Sequence, residues 1–243
     1  MLTDVRPLRT AIIGLLGFAA VEEQLLLASV RRAPAEPGGP GCWAAAPLVA
    51  HNTGFKRQQV QRLDAIRRGQ APPEFAEIDH TSDDVYRDCS QQSADEAARD
   101  SWDVTAALLD GLCELSDDDL TDPARHPWLK GRPLGLQLIV RGFWHPTGHI
   151  GEYYAGHAQP GRAVTLQAQA VAMASYLNAP EAARGMAYFN LACAEARAAR
   201  PGDAFGSLRQ AIELNPDLRA NASRDADLAS LRDSGRLDLL LSQ

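Results

Sequence analysis

Lysine is almost missing from this 243-residue chain: Lys56 and Lys130 are the only two, so arginine carries nearly all the positive charge. The net charge is −7, and binding a polyanion needs a basic patch, so no nucleic-acid partner is expected. Cysteine is scarce as well. Cys42, Cys89, Cys113 and Cys193 lie far apart and form no Cys-x-x-Cys pair. Nothing in that spacing asks for a disulfide, and a reducing, cytoplasmic compartment is the simplest reading. The apolar run Ala11 to Val21 follows Arg6 and Arg9 but ends at Glu22-Glu23-Gln24 without a small-residue cleavage pattern. It is shorter than the roughly 20 residues that cross a bilayer, so it reads as a buried first helix, with neither a leader nor a membrane partner. Clusters of β-branched residues and stretches of alternating polarity are also lacking, which excludes a sheet-built core.

What remains is a helical pattern nearly throughout, hence an all-α fold, with material for one sizeable core and a small appendage. A first helix is expected over residues 7–31, followed by a proline- and glycine-rich break from Pro34 to Gly41. A second runs from Pro47 to about Gly69, with Leu48, His51, Phe55, Leu63 and Ile66 on one stripe. Pro72-Pro73 opens a long polar connection through His80 and Ser90. A third helix starts at the capping box Ser93/Glu96 and buries Ala97, Val104, Leu108, Leu112 and Leu115. After a connection spanning 116–133, a fourth carries Leu136, Ile139, Val140 and Phe143 and ends near Gln159-Pro160-Gly161. An alanine-rich helix, Ala163 to Leu177, follows.

The chemistry concentrates in three histidines: His51 on the second helix, and His145 and His149 on the fourth. Imidazole is the commonest metal ligand among side chains, and i, i+4 spacing sets two on one helix face. A third from another helix completes a three-nitrogen site with positions left open for water or substrate. A cation held by three neutral imidazoles keeps its full charge and can stabilise a thiolate or lower the pKa of bound water towards about 7. Glu152, three residues after His149, is suited either to orienting a ligand or to accepting a proton. Pro146 cannot donate to the Gly142 carbonyl, so a kink is expected beside His145, with His157 as the substitute ligand should the kink displace it. His80 and His126 lie in polar connections, and Asn52, Trp144 and Tyr153 are possible lining residues.

Trp43 followed by Leu48-Val49-Ala50-His51, then after a long gap His145-x-x-x-His149, resembles the DinB superfamily over roughly residues 5–178. The resemblance implies a four-helix bundle, frequently a homodimer, in which His51, His145 and His149 bind a divalent metal such as zinc, nickel or iron. Members of this kind use the metal to activate a low-molecular-weight thiol such as mycothiol, in S-transferases and in maleylpyruvate isomerase, and others hydrolyse toxins. Beyond it, residues 179–243 resemble one tetratricopeptide repeat with a cap: Tyr188, Leu191, Ala192, Ala204, Leu208 and Ala211 take the packing positions, Pro216 closes the unit, and Arg200-Pro201-Gly202-Asp203 turns between its helices. One repeat cannot bury its own faces, so it serves either as a cap or dimerisation element or as a docking surface for a protein partner. The expected function is thiol transfer to, or isomerisation of, a small electrophilic metabolite. A metal-dependent hydrolase and a non-catalytic resistance protein stand as alternatives.

Overall fold

Among the residues described in the computed structural model, 8–31, 38, 42–75 and 83–242, every regular element is helical and there is no strand. Most of the break at 34–41, and His80, lie outside them. Contacts divide the chain into two units, residues 7–150 and Gly151 onward, the division falling within one helix.

The first unit is built on α1 (Leu8–Val30), α2 (Ala45–Arg67), α3 (Asp83–Cys89), α4 (Ala94–Cys113), α5 (Asp117–Thr121), α6 (Leu134–Ile139) and the start of α7 (His145–Gly156). α2 packs along α4, while α1 meets α2, α4, α5 and α6. Ile12, Leu15, Leu16, Leu26 and Leu27 of α1 are fully buried, and the whole stripe expected for α4, Ala97, Val104, Leu108, Leu112 and Leu115, is buried. α1 is long and apolar enough to cross a membrane by length and composition alone, a test that a core helix also passes. The Ser93/Glu96 capping box starts α4 as expected. At the other end of α4, Arg9 of α1 donates to the Leu112 and Leu115 carbonyls at 2.9 and 2.6 Å and to Asp117 at 2.9 Å. An arginine thus closes carbonyls that the last helical turn leaves open.

Two elements replace expected connections. The polar stretch before Ser93 contains α3, and the acidic run after Leu115 contains α5, nucleated by a second reciprocal cap between Ser116 and Asp119. The Ser116 hydroxyl and backbone, with Arg125, hold the Asp119 carboxyl down at about 2. Ser-x-x-Asp was visible in the sequence, but a five-residue helix gives no periodic stripe to accompany it.

The interior of this unit is not wholly apolar. Lys56 of α2 donates to Glu23 of α1 at 2.6 Å, and to the hydroxyls of Ser101 and Thr105 of α4 at 3.0 and 3.1 Å. Ser101 donates to the same Glu23 oxygen at 2.6 Å. All four side chains are buried, so three helices are tied together by one charged network.

The second unit contains α8 (Pro160–Tyr176), α9 (Glu181–Arg197), α10 (Pro201–Leu214), α11 (Leu218–Ala222), α12 (Ala229–Asp233) and α13 (Arg236–Leu241). α9 packs on α8 and α10, with prolines at the first turn of α8 and α10, where a missing N–H costs nothing. Leu191, Ala192, Ala204, Leu208 and Ala211 are buried at the α9–α10 contact, and Tyr188 is half-buried. The backbones come so close that a Cβ on Gly185 would lie 2.9 Å from the Ala211 carbonyl oxygen. Helices α7, α8 and α9 end in one way. Ala158, Asn178 and Ala199 adopt positive φ, and the next residue's N–H returns to the carbonyl five residues back, as in Arg200 to Glu195 at 2.9 Å. Only glycine takes that conformation without steric cost. Ala199→Gly is therefore expected to stabilise the protein by about 1 kcal/mol, read as a higher urea midpoint with an unchanged slope.

Candidate metal centre

The fourth expected helix is not one α-helix. α6 passes into a π-helical turn, Val140–Trp144, in which the His145 N–H bonds to the Val140 carbonyl, and only then does α7 begin. The physical cause is Pro146. Its nitrogen has no proton to give Gly142, and its ring would crowd an α-helical carbonyl there. The extra residue in the wider turn places Pro146 in the first turn of α7, where its missing N–H is not needed. Thr147 then donates its hydroxyl to the Phe143 carbonyl at 2.8 Å. The break expected at this proline is present, and it takes the form of an inserted residue.

The turn leaves His145 in position. The ligating atoms of His51, His145 and His149 lie within 4.8 Å of one another. Ring centroids are 5.4 Å apart for His51–His145, 5.2 Å for His51–His149 and 4.3 Å for His145–His149. His51 is 4% exposed, and the other two are half-buried. The rings are fixed by edge contacts. Trp43 meets His51 at 5.2 Å and is itself met by Tyr86 of α3 at 5.2 Å. Phe55, one turn along α2, meets His51 at 5.0 Å and His145 at 4.5 Å. Aromatic packing of this kind excludes water and narrows the rotamers open to an imidazole.

These residues fit a divalent cation. The Nε2 atoms of all three histidines are buried. The 4.8 Å envelope encloses the spacing needed by one cation at about 2.0–2.1 Å from each nitrogen. Three ligands from two helices leave coordination positions open, the arrangement of catalytic rather than structural sites.

The other residues read from the sequence are placed differently. Asn52 is fully buried beside His51 in the chain, with no hydrogen bond to either end of its amide among the described residues. His126 of the first unit is buried and bonds the Asp119 carbonyl at 3.0 Å. In the second unit, His157 stacks on Tyr153 at 4.0 Å and bonds the Tyr153 carbonyl through Nδ1 at 2.8 Å, so both serve the end of α7. Glu152 is exposed, and its charge bears on Cys193, Arg197 and Asp227.

Cys193, Asp225 and Asp227 form a second cluster of metal-ligating atoms within 4.8 Å, which the sequence spacing did not single out. Its members have structural work. Arg197 pairs with Asp227 at 2.6 Å, and Asp225 accepts from the Asp227 N–H at 2.9 Å to start the turn Ala226–Leu228. Burial, then the charges of Asp225 and Asp227, push the Cys193 thiol well above its ordinary range. A thiol held protonated is a poor ligand, since the thiolate is the binding form. Of the two clusters, the histidines are the better metal site. Compared with family models, with curated proteins and with solved structures, the chain matches none.

Proposed function

We propose that this chain is a metal-dependent enzyme. His51, His145 and His149 hold a divalent cation such as zinc, nickel or iron, and the site activates a low-molecular-weight thiol, mycothiol or a similar one, for transfer to, or isomerisation of, a small electrophilic metabolite. The observation that carries this reading is the convergence of three imidazole nitrogens from α2 and α7 within 4.8 Å. The cation would supply a Lewis acid that makes a bound thiol or water acidic near neutral pH. The chain's own residues do the rest. The imidazoles leave the cation its full charge, Trp43 and Phe55 hold the His51 ring and keep water from it, and the π turn sets the direction from which His145 approaches.

A DinB-like bundle and a tetratricopeptide-like extension are the architecture proposed with this function, in a cytoplasmic protein that pairs as a homodimer. The reading is supported by the order Trp43, His51, His145, His149 and by the packing of α1 on α2, α4 and α6 and of α2 on α4. Metal analysis of protein purified from its native host tests the centre, and thiol-dependent turnover tests the reaction. About one cation per chain and no turnover without a thiol is the expected result. Turnover that persists without any thiol would make the enzyme a hydrolase, and bound metal with no turnover would leave the cation a stabilising role.

Glu152 is proposed as the proton acceptor. Glu152→Gln is then expected to lower turnover about 10²–10⁴-fold with metal content unchanged. A variant with full activity and only a lower melting temperature would instead make Glu152 a charge partner of Arg197.

A further inference from the structure

Two pairs of side chains meet across the histidine centre. On α2, His51 and Phe55 are one turn apart and share a helix face. On the other side, Arg141 in the π turn precedes His145 by the same interval. The four interlock. The Phe55 ring lies 5.0 Å from the His51 ring and 4.5 Å from the His145 ring, T-shaped to both, and those two imidazoles are 5.4 Å apart. The Arg141 guanidinium lies over the same phenyl ring, 4.7 Å from its centroid. One ring thus touches a histidine from each of two helices and carries a cation on its face.

Attraction to a metal does not explain an arginine in this place. A guanidinium stays protonated, and its charge repels a divalent cation. The phenyl ring supplies the attraction instead, since the negative face of an aromatic ring draws a cation, more strongly where water is partly excluded. Phe55 is buried and Arg141 half-buried. A ring held in this way keeps its rotamer, and with it the packing that limits the rotamers of the imidazoles against it. His51 is also held by Trp43 at 5.2 Å, so the stack bears chiefly on His145, the ligand that directly follows the π turn.

We infer that Arg141 is a positioning residue of the metal centre: its guanidinium, stacked on Phe55, fixes that ring between His51 and His145 and so sets the geometry in which the two imidazoles present their nitrogens. The inference rests on the metal-dependent reading above. Charge and stacking give it opposite signs. Were Arg141 acting on the cation by charge, its removal would tighten metal binding; acting through Phe55, its removal loosens it.

The test is zinc affinity of the full chain, measured by competition with a chromophoric chelator, together with the visible absorption of the cobalt-loaded protein. Arg141→Met should weaken zinc about 3- to 30-fold, the range that a cation–π contact spans. It should also change the position or intensity of the cobalt bands, which report coordination geometry. Arg141→Lys keeps a cation for the ring and should restore both readouts to near wild type. Because Arg141 has other partners, a single substitution does not isolate the stack, and a double-mutant cycle does. Phe55→Leu should weaken zinc by at least as much, and adding Arg141→Met to it should cost nothing further.

Four results overturn the inference: zinc bound by Arg141→Met as tightly as by wild type or more so, a full additional loss in the Phe55→Leu background, no rescue by Arg141→Lys, or a lowered melting temperature with the cobalt bands unmoved. In each of these the wild type still binds zinc and the metal reading stands. A wild-type chain that takes up no zinc would remove the metal reading and this inference with it.

Discussion

Lys56→Met is expected to destabilise the protein by about 3–5 kcal/mol. Lys56 and Glu23 are buried to within 2% and meet at 2.6 Å between α2 and α1. Removing the ammonium leaves the Glu23 carboxylate in the interior with, among the described residues, only the Ser101 hydroxyl to solvate it. An uncompensated buried charge is what makes such a change costly; the intact pair contributes little net stability, because desolvation of both ions offsets their attraction. The two statements separate in a double-mutant cycle. Glu23→Leu combined with Lys56→Met should recover most of the loss, so that the double variant is far closer to wild type than either single one. Urea unfolding followed by circular dichroism measures this. Single variants that each cost under 1 kcal/mol would mean that water reaches the pair.

Withdrawal of the metal is expected to abolish turnover and to lower stability together. A ligand that binds only the folded chain contributes about 2.7 kcal/mol when its free concentration is a hundred times its dissociation constant, so chelation should lower the melting temperature by several degrees. His149→Ala should reproduce the chelated protein, and chelator should then have no further effect on it. His145→Ala should do the same, because both side chains belong to one helix and both ligating atoms lie in the same 4.8 Å envelope. Replacing His157 should leave metal content untouched, since its ring is stacked on Tyr153 and bonded to that residue's carbonyl. Wild-type protein whose melting temperature and metal content ignore the chelator would sink the centre altogether.

The sequence carried some of this plainly and some not at all. The α4 stripe was legible because its apolar residues recur at helical spacing, and its start because Ser93 and Glu96 state both halves of a reciprocal cap. The histidine group was legible because imidazoles at i and i+4 are a local pattern, needing only one partner from elsewhere. The Glu23–Lys56 pair was not. Glu23 read as the polar end of an apolar run, and the pairing joins residues 33 apart through a tertiary contact that leaves no local trace. Pro146 announced a disturbance without its form, because a kink and an inserted residue answer the same missing N–H.

The π turn at Val140–Trp144 works as a phase setting. Each residue of an α-helix advances the chain by about 100° around its axis, so one additional residue in a turn re-aims everything that follows by roughly that angle. His145 and His149 both come after it and move as a rigid couple, while His51, on another helix, does not. Deleting a single residue between 140 and 144 would therefore leave all three imidazoles in the chain and swing two of them off the third. Composition alone would call such a variant intact, and it would bind no metal. For this centre, what is inherited is an angle as much as a set of residues.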